Sequence, residues 1–415
     1  MGKKEDLETL MDNLHKMNYQ INNHTISLLD LTLTNLYRID KSIWKQSSTI
    51  NLRALVISSS QIESIQSSAL TPLKKSLKLL SLTDNLLKSV PEDILQMEHL
   101  ESLDLSKNQI SSLETSDLFP PGLDTLDLSH NNISNLNSVD LPQGLRHLNL
   151  NQNKIISLGI RHFDLKNLIE LHLSHNLLNG SLSRNTFFNV VLDSADDKNS
   201  NLEILDLSFN NFEKIESQAL VKFSKLKTLK LKHNKIEVIH PLGFQGLNGL
   251  QKLELSNNEI LDLPNALFKN LSTLDTLDLS YNHLQSINKS FTQGLYQLST
   301  LYLANNDILF LEPLQDISEH LFHLDLEHND LECVCSSLKP FWKWLSTCHN
   351  LRYESKKTIV CATPTKFANA MLTTLDISNC DEDDTVKDIP STVSFKVPSQ
   401  SFTSLKTYLC QDMIE

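Results

Sequence analysis

The sequence predicts an α/β solenoid, a horseshoe of stacked coils with a parallel sheet on its concave face. Three observations predict it: a long motif that recurs along most of the chain, an asparagine at one fixed place in that motif, and a leucine alternation of period two just ahead of the asparagine. The motif reads LESLDLSKNQISSL from Leu100, LDTLDLSHNNISNL from Leu123, LEILDLSFNNFEKI from Leu202 and LDTLDLSYNHLQSI from Leu274.

Written as L-x-x-L-x-L-x-x-N-x-L-x-x-L, the template fits thirteen segments, beginning at Ile26, Leu52, Leu77, Leu100, Leu123, Leu145, Leu168, Leu202, Leu226, Leu250, Leu274, Leu298 and Leu321. Eleven of the twelve intervals are 22 to 26 residues and one is 34, which is the period of a solenoid coil. In x-L-x-L-x the leucines point to one side of a short strand and the residues between them to the other. A single coil cannot cover its own leucines, so each must stack on its neighbours. The ninth template position is Asn in eleven of the thirteen segments: Asn85, Asn108, Asn131, Asn153, Asn176, Asn210, Asn234, Asn258, Asn282, Asn306 and Asn329. A buried amide must satisfy both its donors and its acceptor, and the turn between stacked coils offers main-chain groups to it, so a ladder of asparagines is expected. Thr34 and Ser60 replace it in the first two segments and imply a looser edge. Phe163, Phe244, Phe268 and Phe291 fall in the return halves and are expected to stack as a convex-side core.

These segments resemble the leucine-rich repeat family over about residues 26 to 334. The resemblance implies a leucine-rich repeat solenoid over 26–332, preceded by a segment 1–25 and followed by a region 333–380 and a polar tail 381–415. Leu7, Leu10, Met11, Leu14 and Met17 suit one face of a short helix, a candidate N-terminal cap.

Composition narrows the partners. At 415 residues, with 40% hydrophobic and 21% charged residues, the chain is long enough for a large core, and 9 glycines and 12 prolines exclude collagen-like and low-complexity classes. A net charge of -13 opposes a phosphate-backbone grip, so nucleic acid is compatible with a local basic patch but is not indicated. No stretch reaches 18 consecutive apolar residues and the start has no continuous apolar run, so neither membrane insertion nor a secretory signal is read in these residues.

The stretch LECVCSSLKPFWKWLSTC, 331–348, holds three of the six cysteines and two of the three tryptophans. A zinc site usually spaces paired cysteines by two to four residues, whereas only Val334 separates Cys333 from Cys335, and no comparable second pair follows. Metal and cofactor chemistry are therefore not expected. With VCATP at 360–364 and LTTLDISNC at 372–380, the stretch is similar to the C-terminal cysteine-rich flank of extracellular leucine-rich repeat proteins, and in particular of Toll-like receptor ectodomains. That resemblance implies a disulfide-stapled C-terminal cap, with Cys333 paired to Cys361 and Cys335 to Cys380; six cysteines alone permit 15 pairings. Cys348 and Cys410 lie outside this pattern, and pairing with each other, free thiols or a bridge to another chain all stay open. Disulfides imply an oxidising compartment, where the sequons at Asn23, Asn132, Asn179, Asn270 and Asn288 permit glycosylation. An extracellular or secreted protein is expected, and the start without a secretory signal fits a receptor ectodomain given in part.

No Gly-rich phosphate loop, nucleophile elbow or zinc-protease pattern occurs and the carboxylates do not converge, so an enzyme is not expected. With leucines and asparagines committed to structure, recognition falls to outward strand positions and irregular loops. LRHLNLNQN and LIELHLSHN present Arg146, His147 and His172, and LKTLKLKHNK presents Lys227, Lys230, Lys232 and His233, with Lys252 one coil on. These eight are candidate ligand-binding residues, suited to an acidic protein surface, a glycan or a nucleic acid; the alternative is ordinary variation of a solvated surface. His130, His175, His233 and His328 share the position before the asparagine, a column that reads as a repeat feature or as a pH sensor. The 34-residue interval carries an insertion at 183–199, which reads as a longer solvent loop without function or as a ligand contact or processing site. The expected function is binding of a macromolecular ligand or partner receptor, as the Toll-like resemblance implies. A matrix or cell-adhesion repeat protein and an intracellular scaffold or enzyme regulator are the alternatives.

Overall fold

Each template start leads, two residues later, into a three-residue strand, and the strands stack in parallel with their central leucines inward. The computed structural model describes residues 28–32, 36–41, 51–113, 119–136, 141–158, 167–187, 200–317, 319–352, 354–355, 357, 359–364 and 368–372, the side chains of 315 and 335–338 excepted. The candidate N-terminal helix, Asn23, Thr34, Phe163, most of the 183–199 insertion, Cys380, Cys410 and the tail lie outside the described residues.

Main-chain proximity divides the chain into two units, Met1–Phe212 with Lys222–Leu226, and Glu213–Val221 with Lys227–Glu415. In the first, β1 (Leu28–Asp30), β2 (Ala54–Val56), β3 (Leu79–Ser81), β4 (Ser102–Asp104), β5 (Thr125–Asp127), β6 (His147–Asn149), β7 (Glu170–His172) and β8 (Ile204–Asp206) pair in that order. In the second, β9 (Thr228–Lys230), β10 (Lys252–Glu254), β11 (Thr276–Asp278), β12 (Thr300–Tyr302) and β13 (His323–Asp325) do the same. Every pair is in register, leucine opposite leucine. The long interval does not disturb this, since Leu205 still lies opposite Leu171. Its described part forms a strand, Asn179–Leu182, and a single helical turn α1, Arg184–Phe187, whose Phe187 is buried edge-on against Phe223 at 5.3 Å.

The core is the set of inward leucines. Leu100, Leu103 and Leu105 of one coil and Leu274, Leu277 and Leu279 of another are fully buried, each contributing roughly 1.5–3 kcal/mol by leaving water. The asparagines form the expected ladder. Asn108 Nδ2 donates to Leu82 O in the preceding coil at 2.9 Å and to Leu105 O in its own at 3.0 Å, while its Oδ1 accepts the N–H of Leu87 at 3.0 Å. Asn131, Asn153, Asn176 and Asn210 repeat the pattern in the first unit, and Asn258, Asn282, Asn306 and Asn329 in the second. Ser60 fills the same place on a shorter arm: its hydroxyl donates to Leu31 O at 3.1 Å, and the side chain is fully buried.

The return halves turn back through 3₁₀ segments such as Thr71–Leu73 and Glu92–Gln96 and through irregular turns. In the second unit Phe244 stacks on Phe268 at 6.1 Å and Phe268 meets Phe291 edge-on at 5.5 Å, so these three return-half phenylalanines pack on one another. Gly246 has φ +95°, and a Cβ there would stand 2.5 Å from Val221 O, so this turn admits no side chain. After the last coil, helix α2, Cys335–Thr347, buries Phe341, Trp344 and Leu345. The Cys333–Cys361 disulfide, Cα atoms 5.6 Å apart, ties the end of the last coil to the segment beyond the helix. Main-chain bonds run beside it: Cys333 N donates to Thr363 O, and Ala362 N to Leu331 O, both at 2.8 Å. Cys335 begins α2, and its expected partner Cys380 lies outside the described residues. Cys348 is buried at the C-terminal end of α2, its Sγ 3.5 Å from Trp344 O.

Candidate ligand-binding face

In β4 and β11 the outward positions are half-buried and the leucine between them is buried; elsewhere outward positions range from exposed, as at Lys252, to buried, as at Glu254. Parallel strands lie about 4.8 Å apart, so residues at the same template position form columns of neighbours from coil to coil.

Two of these columns are structural. Asp104, Asp127, Asp206 and Asp278 each accept on Oδ1 the main-chain N–H two residues on, from Ser106, Ser129, Ser208 and Ser280, at 2.8–3.0 Å. The recurring D-L-S is therefore a carboxylate closing the strand end upon itself. The column before the asparagine is left-handed throughout: φ is +54° at His130 and His175, +53° at His233 and +55° at His328, and Lys107, Gln152, Phe209, Asn257 and Tyr281 have values of +53° to +56°. Asn, Asp and His tolerate that region best among non-glycine residues. A backbone requirement thus accounts for the histidine column. His175 also stacks on Phe209 at 4.0 Å.

The candidate ligand residues fall in both units. In the first, Arg146 Nε lies 3.9 Å from Asp124 Oδ1, and its exposed side chain reaches an open groove of about 400 Å³ lined also by Gln143, Asn167, Ile169, Asn201, Glu203 and Lys225. There Lys225 Nζ donates to Asn201 Oδ1 at 2.7 Å. His147 and His172 share a single carboxylate, each with a ring nitrogen 3.5 Å from Glu170 Oε2. In the second unit Lys227, Lys232 and His233 flank β9, and Lys230 stands opposite Glu254 in the ladder. Lys252 Nζ is 2.6 Å from Glu254 Oε1. Five of the basic residues picked out along the sequence, Arg146, His147, His172, Lys230 and Lys252, thus have a carboxylate beside them, at Asp124, Glu170 or Glu254.

Farther along the second unit the face turns acidic and aromatic. One column reads Glu254, Asp278, Tyr302, Asp325 in successive coils. His323 lies beside Tyr302, ring centres 5.0 Å apart, and Arg352 from the segment after α2 covers the exposed Phe322 ring at 4.1 Å. Ser355 Oγ is 2.9 Å from His323 Nδ1 and also accepts the N–H of Leu324 at 3.2 Å. This is a nucleophile-and-base pairing in outline only. Ser355 is 2% exposed and its oxygen is engaged by the backbone, so a substrate carbon has no line of approach. Burial lowers the pKa of His323, Asp325 raises it, Arg352 lowers it and Glu354 raises it, with burial prevailing. Of the sequons, Asn179 and Asn270 are exposed, and Asn132 and Asn288 are half-buried. No helix among the described residues is long and apolar enough to cross a membrane.

Stacked parallel coils, an inward leucine column and a buried asparagine ladder define a repeat solenoid with a variable outward strand face. Family models described as Leucine rich repeat match residues 50–110, 75–133, 98–155, 200–260 and 248–308, together more than half of the chain. The chain belongs to the leucine-rich repeat family. No curated protein matches it. Among solved structures it is similar to the Drosophila Toll–Spatzle complex, at 20% identity and TM-score 0.62, covering 84% of this chain and 51% of that one. It is similar to the leucine-rich repeat domain of APL1B at 24% identity and TM-score 0.62, covering 85% and 92%. An internalin from Listeria monocytogenes follows at 19% identity and TM-score 0.59, covering 84% and 92%. The chain spans about half the length of the Toll-complex chain it matches; at these identities the likeness is one of fold.

Proposed function

We propose that the chain is an extracellular recognition protein of the Toll-like ectodomain kind, binding a protein ligand or partner receptor on its outward strand positions without catalysing a reaction. The carrying observation is the contrast within each coil: the inward leucines and the asparagine repeat almost unchanged, while the outward positions change charge and shape from coil to coil. A scaffold that fixes one side and varies the other is suited to recognition. The Cys333–Cys361 disulfide supports an oxidising compartment, and the Toll–Spatzle complex is an instance of this fold holding a protein ligand. On this reading Arg146, His147 and His172 belong to a contact surface of the first unit, and Lys227, Lys230, Lys232, His233 and Lys252 to one end of the second unit's face. Asn132, Asn179, Asn270 and Asn288 carry glycans, and Cys335 pairs with Cys380.

The test has two arms. Non-reducing peptide mapping of the protein secreted by eukaryotic cells is expected to recover the Cys333–Cys361 linkage and occupied sequons; free thiols at both cysteines with bare sequons would sink the extracellular assignment. Screening the same protein on an array of secreted proteins and receptor ectodomains is expected to give binders whose signal falls on Lys230→Glu/Lys232→Glu or on Arg146→Glu. A silent array, or binders indifferent to every strand-face substitution, refutes the recognition reading.

A further inference from the structure

The second unit's face is strongly asymmetric. Its first coil is basic, but over the next four coils the outward positions carry the carboxylates of Glu254, Asp275, Asp278, Asp325 and Glu327 against the lysine of Lys252, with Arg352 from the segment after α2 lying over Phe322. Within this stretch Tyr302 is held in register between Asp278 on one side and Asp325 on the other. An aromatic ring attracts a cation over its face, and a carboxylate on either flank adds charge-assisted hydrogen bonds.

One further observation points to a cationic occupant. The same end of the face already binds one guanidinium: Arg352 lies over the Phe322 ring at 4.1 Å. The chain's own segment thus makes at Phe322 the kind of contact that Tyr302 offers to a partner.

We propose that the strand face from Glu254 to Glu327 docks a basic segment of a protein partner, with a lysine or arginine seated over Tyr302 between Asp278 and Asp325. This deepens the recognition reading and rests on it. The occupant is a peptide chain because the acidic column extends over several coils, matching a series of side chains better than an isolated small cation. Nucleic acid is disfavoured by the sign of the charge.

The test uses the whole chain and a synthetic peptide of alternating lysine and serine, with its glutamate–serine counterpart as control, measured by fluorescence anisotropy across a salt series. The lysine peptide is expected to bind and to weaken with salt, and the glutamate peptide is not. Asp278→Asn/Asp325→Asn is expected to weaken binding about tenfold. It preserves the fold, because an amide oxygen still accepts from Ser280 N and Glu327 N. Tyr302→Ala is expected to lose about fivefold and Tyr302→Phe to stay within about twofold. The proposal is overturned if the lysine peptide does not bind, if it binds the double asparagine variant as tightly as the parent chain, or if Tyr302→Ala has no effect. Array binders sensitive to strand-face substitution elsewhere would leave the recognition reading standing in each of those cases.

Discussion

Ser355 Oγ accepts the main-chain N–H of Leu324 at 3.2 Å. Leu324 is the central residue of the last strand, and the donor it turns outward is one that a further coil would otherwise pair. Beside it Arg352 N donates to Phe322 O at 2.9 Å, the bond that Phe322 N makes to Ser299 O one coil earlier. Two residues from a segment with no repeat pattern thus close the open edge of the sheet, the end that a solenoid must cover to stay soluble.

The cap should respond to pH through His323. Because burial lowers its folded-state pKa below the unfolded value of about 6.5, the folded chain favours neutral imidazole, whose Nδ1 can accept from Ser355. This contribution is fully present above the unfolded pKa and is lost as pH falls through the depressed folded value. Hydrogen exchange at the Leu324 amide is expected to lose protection on mild acidification in the parent chain, and less so in His323→Gln. Identical pH slopes in the two would discard this account.

Asn258 tests the ladder. Replacing it by Ala removes the donors to Leu231 O and Leu255 O and the acceptor of Ile236 N. Leaving such buried groups unpaired costs about 1–3 kcal/mol each, so Asn258→Ala is expected to lower stability by about 2–5 kcal/mol in urea denaturation. A loss comparable to that of an exposed Asn→Ala change would show the ladder to be dispensable.

His130 separates backbone conformation from titration. At φ +54°, His130→Val should cost about 1 kcal/mol or more, whereas His130→Asn should be neutral. Equal melting temperatures for the two variants would contradict the conformational explanation of that column. If instead His130→Asn abolished a pH transition of the whole protein, the sensor reading would be restored.

The disulfide closes a loop with a sequence separation of 28. Cys333→Ala/Cys361→Ala is expected to destabilise the C-terminal region by about 3–4 kcal/mol by releasing that loop in the unfolded chain. The measurement is differential hydrogen exchange, with the loss confined to the last coil and the cap. Uniform loss across the first unit would argue against a local staple.

The leucines and the asparagine ladder were legible in the sequence because each recurs with the coil, the leucines through thirteen segments and the asparagine in eleven of them. Lys252 and His147 were legible as basic outward residues, but their carboxylate neighbours were not weighed with them. Glu170 faces His147 through the ladder and Glu254 lies two residues from Lys252 on one strand, and a patch assembled from basic residues alone overlooked both. The left-handed column was visible as a column, yet its cause is a backbone angle, which residue type only hints at through His, Asn and Asp. Ser355 was illegible for the opposite reason. It occurs once, outside the repeat, and only the folded chain brings it to Leu324.

The asparagine ladder has a consequence for how such a chain lengthens or shortens. Each rung joins only adjoining coils and uses the same atoms every time. Removing residues 250–273 would let Asn282 take the bonds to Leu231 O and Ile236 N that Asn258 makes now, with no new chemistry and no change of register. Coils are therefore interchangeable parts: gene segments encoding them can be duplicated or lost whole, and the breadth of the recognition face can change in steps while its interior stays the same.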